Sequence, residues 1–295
     1  PQMVRSHWQS LNGLWDYAIS EKDAASMPVP DGRILVPFCV ESSLSGVGKR
    51  VDGDHALWYR TSLVKPDAWK CKNVILHFDA VDWSAEVFID GKQIASHTGG
   101  YTAFSVDVTE YIGENPVELT VRVWDPTDDH EYSVPRGKQV ANPQGIWYTP
   151  VTGIWQSVWM EAVDSAAYIE DYNVVTDIET GEISVSAICA GAEEGDKIRV
   201  DVLRPKIGYD TSRPGWSIFR KGRATVPAGQ TADIRIRRPK LWTPDSPYLY
   251  GLKISLIRNG KVIDKVQGYT ALRKISEQRD TKGVKRLALN GNILF

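Results

Sequence analysis

An all-β chain is predicted by three observations. Nearly every periodic segment alternates at two residues rather than at the helical period, the segments are short, and they are rich in Val, Ile, Tyr and Trp, the pattern of half-buried strands. In the second half, turn signals separate them every 8 to 12 residues or so. At 295 residues the chain is long enough for about two domains. Composition shifts around Val163 to Ala167, and nine of the eleven Trp lie before that point, which puts the domain boundary there.

In the first half, strands are expected near Leu14 to Ile19, Leu57 to Val64, Val74 to Phe78, Ala85 to Ile89, Gln93 to Ser96, Phe104 to Val108, Val117 to Val123 and Ile154 to Glu161. Asp90-Gly91 stands between two of them as a two-residue hairpin turn, because Gly tolerates the positive φ that such a turn demands. The segment Asp125 to Pro150 is long, polar and aromatic, and connections of that length inside a compact domain are usually functional or a partner surface. In the second half, strands are expected near Tyr168 to Thr176, Ile183 to Ala190, Ile198 to Leu203, Arg223 to Val226, Thr231 to Ile236, Leu249 to Arg258 and Val262 to Gly268, with Asn259-Gly260 as another tight turn. About seven strands in roughly a hundred residues fit an immunoglobulin-like sandwich, without the Cys and Trp spacing of antibody domains.

The run Gly145 to Glu161 is the most specific in the chain. Its second half alternates, with Ile154, Gln156, Val158 and Met160 on one face and Trp155, Ser157, Trp159 and Glu161 on the other, so one continuous strand is expected. Its first half reads as a loop carrying Trp147 and Tyr148. Flat aromatic rings on a loop are surfaces on which sugar rings stack, since one face of a pyranose is apolar while its hydroxyls need polar neighbours. The competing account is that the three Trp of this run are core.

Several function classes lose their basis. A net charge of -2 gives no concentrated basic surface for nucleic acid, and the run Arg235 to Lys240 reads as the solvent side of a strand. Three cysteines, Cys39, Cys71 and Cys189, suit neither a disulfide framework nor a zinc ribbon and are expected to be buried thiols. No apolar run approaches a membrane span, and the first residues lack the apolar core of a signal peptide; the compartment stays open between periplasmic or extracellular and cytoplasmic. Nucleotide-cradling glycine motifs and the hydrolase nucleophile elbow do not occur. The five His are scattered, at 7, 55, 77, 97 and 130. The cluster Asp125, Asp128, Asp129, His130 and Glu131 offers oxygen ligands to a hard cation, with a solvated polar loop as the simpler account.

Read in order, Trp58-Tyr59-Arg60-Thr61, Val81 to Lys92, His97 to Thr109, Gly145 to Glu161 and Pro239 to Tyr250 resemble the N-terminal half of a family-two glycoside hydrolase, the group of β-galactosidases, β-glucuronidases and β-mannosidases. The resemblance covers essentially the whole chain. It implies an all-β arrangement of a jelly-roll, galactose-binding-like sandwich over residues 1–165 and an immunoglobulin-like sandwich over 166–277. Residues 278–295 would then be a linker and the first hairpin of a missing catalytic (β/α)8 barrel, since Gly283 to Phe295 resembles the start of that barrel. Both catalytic glutamates of such retaining enzymes lie in the barrel, so no catalytic residue is expected in this chain.

The same resemblance implies carbohydrate as the partner, a β-galactoside or related glycoside, together with the protein's own C-terminal barrel. It allows assembly as a homo-oligomer and implies neither nucleic acid nor membrane. Asp54, just before Trp58-Tyr59, stands where the larger β-galactosidases carry an asparagine that reaches the sugar. Asp125 stands near a family aspartate that meets sugar hydroxyls and an associated sodium ion. The candidate substrate-binding residues are therefore Asp54, Asp125, Trp147 and Tyr148, against the alternative that both aspartates merely cap turns. No cofactor is expected in this part, with sodium or magnesium in the full enzyme. Two functional readings compete with a non-catalytic part of an exo-β-glycosidase, most simply a β-galactosidase: a stand-alone lectin-like carbohydrate-binding module, and a structural adhesin-type pair of sandwiches.

Overall fold

A computed structural model of the chain describes residues 2–129, 131–205 and 216–294, with the side chains of 216–218 left undescribed. The chain divides into two compact units, His7–Ala162 and a second made of Pro1–Ser6 with Val163–Phe295. The N-terminal residues thus join the second unit, although the sequence groups them with the first. Helix is confined to two single 3-10 turns among the described residues, Ser43–Ser45 and Asp67–Trp69.

The first unit is built from β1 (Trp8–Ser10), β2 (Gly13–Glu21), β3 (Gly32–Val36), β4 (His55–Leu63), β5 (Asn73–Phe78), β6 (Val81–Asp82), β7 (Ser84–Ile89), β8 (Lys92–Thr98), β9 (Phe104–Asp107), β10 (Val117–Trp124), β11 (Gly153–Ile154) and β12 (Val158–Val163). A six-stranded antiparallel sheet runs β3-β2-β4-β10-β7-β8, and a four-stranded sheet runs β1-β12-β5-β9. Period-two alternation places Ala85, Val87 and Ile89 of β7 in the same core as Leu76 and Phe78 of β5 and Val158 and Met160 of β12, so the two sheets share one apolar filling. The Asp90-Gly91 turn has φ of 48° and 77°, both positive, as the hairpin requires.

The expected strand Ile154 to Glu161 is not continuous. Gly153–Ile154 pairs with β6 as a short ribbon of its own, and the chain rejoins a sheet only at Val158. Gln156, expected inward beside Ile154 and Val158, is exposed. The break lies where Trp155 and Gln156 both turn their backbone N–H groups to the Ala80 carbonyl, at 3.3 and 3.4 Å. Ile154, Val158 and Met160 are still fully buried.

The second unit holds β13 (Tyr168–Asp177), β14 (Glu182–Ala190), β15 (Lys197–Pro205), β16 (Trp216–Pro227), β17 (Ala232–Arg235), β18 (Tyr250–Arg258), β19 (Lys261–Thr270), β20 (Ile275–Arg279), β21 (Lys285–Leu289) and β22 (Asn292–Ile293). A sheet β13-β14-β17 and a sheet β16-β15-β18-β19 enclose Ile183, Val185, Ile198, Val200, Leu252 and Ile254, an antiparallel β-sandwich. The turn at Asn259-Gly260 has φ of 50° and 77°. Strands β20 to β22 form a separate three-stranded sheet; Phe295, the end of the segment that resembles a barrel hairpin, lies outside the described residues. Cys39 and Cys189 are partly buried and free, whereas Cys71 is exposed, contrary to the expectation of three buried thiols: it follows the turn at Trp69 on the surface.

Candidate functional site

The long connection from Asp125 to Pro150 leaves β10 at one end of the first unit, and its shape is set by side chains reaching it from far away in sequence. Asp125 is 3% exposed. Its Oδ1 accepts from the Thr127 N–H at 2.7 Å, and its Oδ2 accepts from the hydroxyls of Thr152 at 2.7 Å and Thr127 at 3.2 Å. It therefore closes an Asx turn, with Thr127 at a φ of 50°, and ties the start of the connection to its end. Thr152 also donates its N–H to Glu41 Oε2 at 3.0 Å.

Gln139 holds the middle of the connection. Its Nε2 donates to Asp82 Oδ2 at 3.3 Å and to the Tyr101 hydroxyl at 3.2 Å, and its Oε1 accepts from the Val151 N–H at 2.5 Å. The backbone then pairs with itself: Tyr148 N–H donates to Lys138 O at 2.9 Å, and Val140 N–H to Tyr148 O at 3.0 Å. Below, Tyr59 of β4 is fully buried, and its hydroxyl accepts from the Ile154 N–H at 3.1 Å. That approach requires a glycine before Ile154, because a Cβ on Gly153 would lie 2.0 Å from the Tyr59 hydroxyl. Gly100 is needed likewise, since a Cβ there would lie 2.4 Å from the Asp82 carboxyl.

Three carboxylic acids thus sit under one loop with neutral donors and, among the described residues, no ion-pair partner. Burial pushes Glu41 up to about 7, with the Asp125 charge adding to the rise and the Thr152 hydrogen bonds opposing it. Burial likewise pushes Asp82 up to about 7, reinforced by the charges of Asp125 and Glu41 and opposed by the Gln139 bond. Asp125 is raised for the same first reason, against the three donors that favour its ionised form. Raised carboxylates suit general acids, but here each is engaged in holding the loop, and the group works as an anchor.

What the anchored loop presents is aromatic. Ile146 is 65% exposed, Trp147 43% and Tyr148 66%, and Tyr101 adds a ring at 54%. Trp147 is therefore not core, whereas Trp155 and Trp159 are partly buried with their indole N–H groups bonded to Gly100 O at 2.7 Å and Asp79 Oδ1 at 3.0 Å. The sequence groups these three Trp; the structure separates one exposed ring from two structural ones.

Asp54 lies exposed on an open cavity of about 230 Å3 that Arg50, Asp128, Asp129 and Ala141 also line. Its own N–H is capped by Asp52 Oδ1 at 3.2 Å. Arg50 joins this wall to the loop, donating to Ala141 O at 2.6 Å and to Asn142 Oδ1 at 3.3 Å. Asp54 and the Asp125 connection are thus neighbours, but Asp125 itself faces inward while Asp54 faces the cavity. Asp128 accepts from the Ala141 N–H at 2.9 Å and Asp129 from the Glu131 N–H at 3.0 Å; His130 lies outside the described residues. Among the described residues no group of three or more His, Cys, Asp or Glu is arranged to hold a metal ion.

Sequence reasoning passes over Glu41 and Arg50, and reads Asp82 and Thr152 only as parts of motifs and Gln139 only as part of the long connection. Gly100 and Gly153 are the available signal for close approach, though not for which group approaches.

Comparison with known proteins supplies the family. Residues 167–273 match the model described as glycosyl hydrolases family 2, and residues 48–146 match the model described as glycosyl hydrolase 2 galactose-binding domain-like. A β-galactosidase of Thermoanaerobacter pseudethanolicus is 29% identical over 277 residues, covering 93% of this chain and 35% of that protein. A putative β-glucuronidase of Formosa agariphila is 27% identical over 223 residues, covering 73% and 25%. The solved β-glucuronidase from Ruminococcus gnavus superposes with a TM-score of 0.76 at 16% identity, covering 99% of this chain and 49% of that one, a likeness of fold. The chain thus spans about a third or less of the length of the first two relatives. Two domains described for one family, in succession along an all-β chain, lead to one statement: the chain belongs to family 2 of the glycosyl hydrolases.

Proposed function

We propose that this chain is the non-catalytic N-terminal portion of a retaining exo-β-glycosidase, most simply a β-galactosidase, and that its first unit supplies one wall of the sugar site. The observation that carries the reading is the anchored loop: Trp147 and Tyr148 stand exposed on backbone fixed by Gln139 and Thr152. A preorganised aromatic surface loses little freedom when a sugar stacks on it. Asp54 adds an exposed carboxylate beside the same loop, while Asp125 acts through Thr127 and Thr152 to position it. The two catalytic carboxylates of a retaining mechanism belong to a barrel outside these residues, so the chain by itself binds weakly and hydrolyses nothing.

The test compares the intact protein with this chain alone on nitrophenyl β-galactoside and nitrophenyl β-glucuronide. Turnover of the galactoside by the intact protein and none by the chain is the expected result. Preference for the glucuronide would replace β-galactosidase by β-glucuronidase, and turnover by the chain alone would remove the assignment of catalysis to a barrel. Micromolar galactose binding by the chain would favour the lectin-like reading instead.

A further inference from the structure

The second unit carries a concave surface that the sugar site does not use. Residues of the β13–β14 turn and of the segment after β17 enclose an open groove of about 530 Å3. Arg235, Arg237 and Arg238 all line it, and all three are exposed. Buried Ile236, whose N–H donates to Gly181 O at 2.8 Å, anchors the segment between them. Arg238 has a φ of 53°. A Cβ on Gly181 would lie 3.1 Å from Ile236 O and 3.2 Å from Pro239 Cγ, so the two walls are packed together.

The charges in this groove are unspent. Arg237 and Arg238 form no hydrogen bond or ion pair among the described residues, and Arg235 uses only its Nε, donating to Thr180 O at 3.1 Å. Glu182 stands opposite Arg235 in the ladder without an ion pair to it. The acidic side chain on the rim, Glu179, is engaged with Lys274 at 3.2 Å. On a chain whose net charge is -2, three guanidinium groups around one concavity focus a local positive field. Guanidinium forks match planar oxyanions through paired N–H donors. A single compact cluster suits one or two such groups, whereas a phosphate backbone requires an extended basic track.

We propose that the Arg235, Arg237 and Arg238 groove is an ancillary binding site for an acidic oligosaccharide, engaged through its carboxylate or sulfate groups. The choice of a glycan rests on the proposed glycosidase function. The assay reads binding without hydrolysis, so failure of one reading is distinguishable from failure of the other.

The experiment is calorimetric titration of the 295-residue chain with an oligogalacturonate, a sulfated oligosaccharide of similar length and a neutral oligogalactoside. The Arg237→Ala/Arg238→Gly variant is compared with the unaltered chain. Gly keeps the positive φ available at position 238, so the variant is expected to melt with the parent. At least one acidic ligand is expected to bind, with affinity that falls as salt is raised and drops at least tenfold in the variant, while the neutral ligand does not bind. Binding of the oligogalacturonate alone identifies carboxylate as the recognised group, and binding of the sulfated ligand alone identifies sulfate. Equal affinity of parent and variant, absence of binding by both acidic ligands, or equally tight capture of a short DNA duplex would overturn the proposal. Should the variant melt early, Arg237→Gln with Arg238→Asn takes its place, Asn tolerating the left-handed region.

Discussion

The buried acids of the second unit and the acids under the loop of the first are held in opposite ways. In the second unit each buried acid among the described residues has an arginine: Asp264 with Arg5 at 2.9 Å, Asp196 with Arg258 at 2.8 Å and Asp201 with Arg223 at 2.6 Å. Under the loop of the first unit, Glu41, Asp82 and Asp125 have hydroxyl, amide and backbone donors and, among the described residues, no cation. The consequences run in opposite directions. Arg258 holds Asp196 below the usual carboxylate range, whereas burial lifts Glu41 and Asp82 to about 7. Ion pairs hold the buried acids of the second sandwich; the acids under the loop of the first have their carboxyl groups pushed up by burial and serve as acceptors for that loop.

The largest effect is expected where an ion pair loses its cation. Arg5 is 5% exposed, donates from Nε and Nη2 to the two oxygens of Asp264, and also bonds the Ile169 carbonyl. Arg5→Met leaves Asp264 buried without its cation, which typically costs about 3–5 kcal/mol. Calorimetry should show the transition of the second unit falling well below that of the parent; an unchanged profile would mean that the pair does not hold the N-terminal residues to this unit.

The next prediction concerns pH. A folded pKa raised above the unfolded value means that the neutral acid is favoured in the fold. The stability contributed by Glu41 and Asp82 is therefore complete below the ordinary carboxylate pKa and is lost as pH rises through about 7. Each tenfold change in a protonation equilibrium corresponds to ~1.4 kcal/mol. Discounted for the mutual coupling of the two acids, Glu41→Gln with Asp82→Asn should stabilise the first unit by about 2–3 kcal/mol at pH 8. At pH 4 the same pair of changes should have little effect. Asp196 has the reverse sign: its contribution is present above the ordinary carboxylate pKa and is lost as pH falls through its lowered value. Melting curves from pH 3 to 9 that moved both units in the same direction would break the comparison.

Steric tests follow. Gly153→Ala places a Cβ 2.0 Å from the Tyr59 hydroxyl at a φ of 95° and should cost the first unit about 1–3 kcal/mol. Adding Tyr59→Phe should recover part of that loss by removing the clashing oxygen, although Ile154 then lacks its acceptor. Equal stability of the single and double variants would argue against this contact as the constraint on the loop.

The smallest change in stability is expected at the rings themselves. Trp147→Ala and Tyr148→Ala remove exposed side chains and should shift stability by no more than about 0.5 kcal/mol. In the intact protein each should lower kcat/KM for its glycoside roughly three- to tenfold, the loss of one stacked ring. Unchanged kinetics in both variants would withdraw the loop from the sugar site.

Much of this architecture is legible in the residues alone. Every expected strand but one has a single counterpart, most with edges shifted by a residue or a few, because alternation is a strong signal; the exception, Ile154 to Glu161, is split between β11 and β12. Arg223 to Val226 is the largest underestimate, since β16 begins at Trp216. The three-residue β1 and the two-residue β6 are too short to express a period, and β3, which leads into Pro37, escapes the same reading. The exposed Trp147 and Tyr148 are found from composition, yet the same reasoning groups Trp155 with them and carries a strand straight through Gln156. Alternation records which side chains could share a face, not whether the ladder is continuous.

The sequence by itself determined the all-β class, the tight Asp90-Gly91 and Asn259-Gly260 turns, and the aromatic loop, because each follows from local period, turn chemistry or composition. Only the tertiary structure decided what holds that loop and which way its acids face. Glu41 meets Thr152 across 111 positions and Asp82 meets Gln139 across 57. It also decided that Asp125 points inward while Asp54 stays exposed, and that acids of the second unit find arginines while those beneath the loop do not. Partners so far apart in sequence are chosen by packing, and the pKa of a carboxyl depends on how much water and which charges that packing leaves beside it.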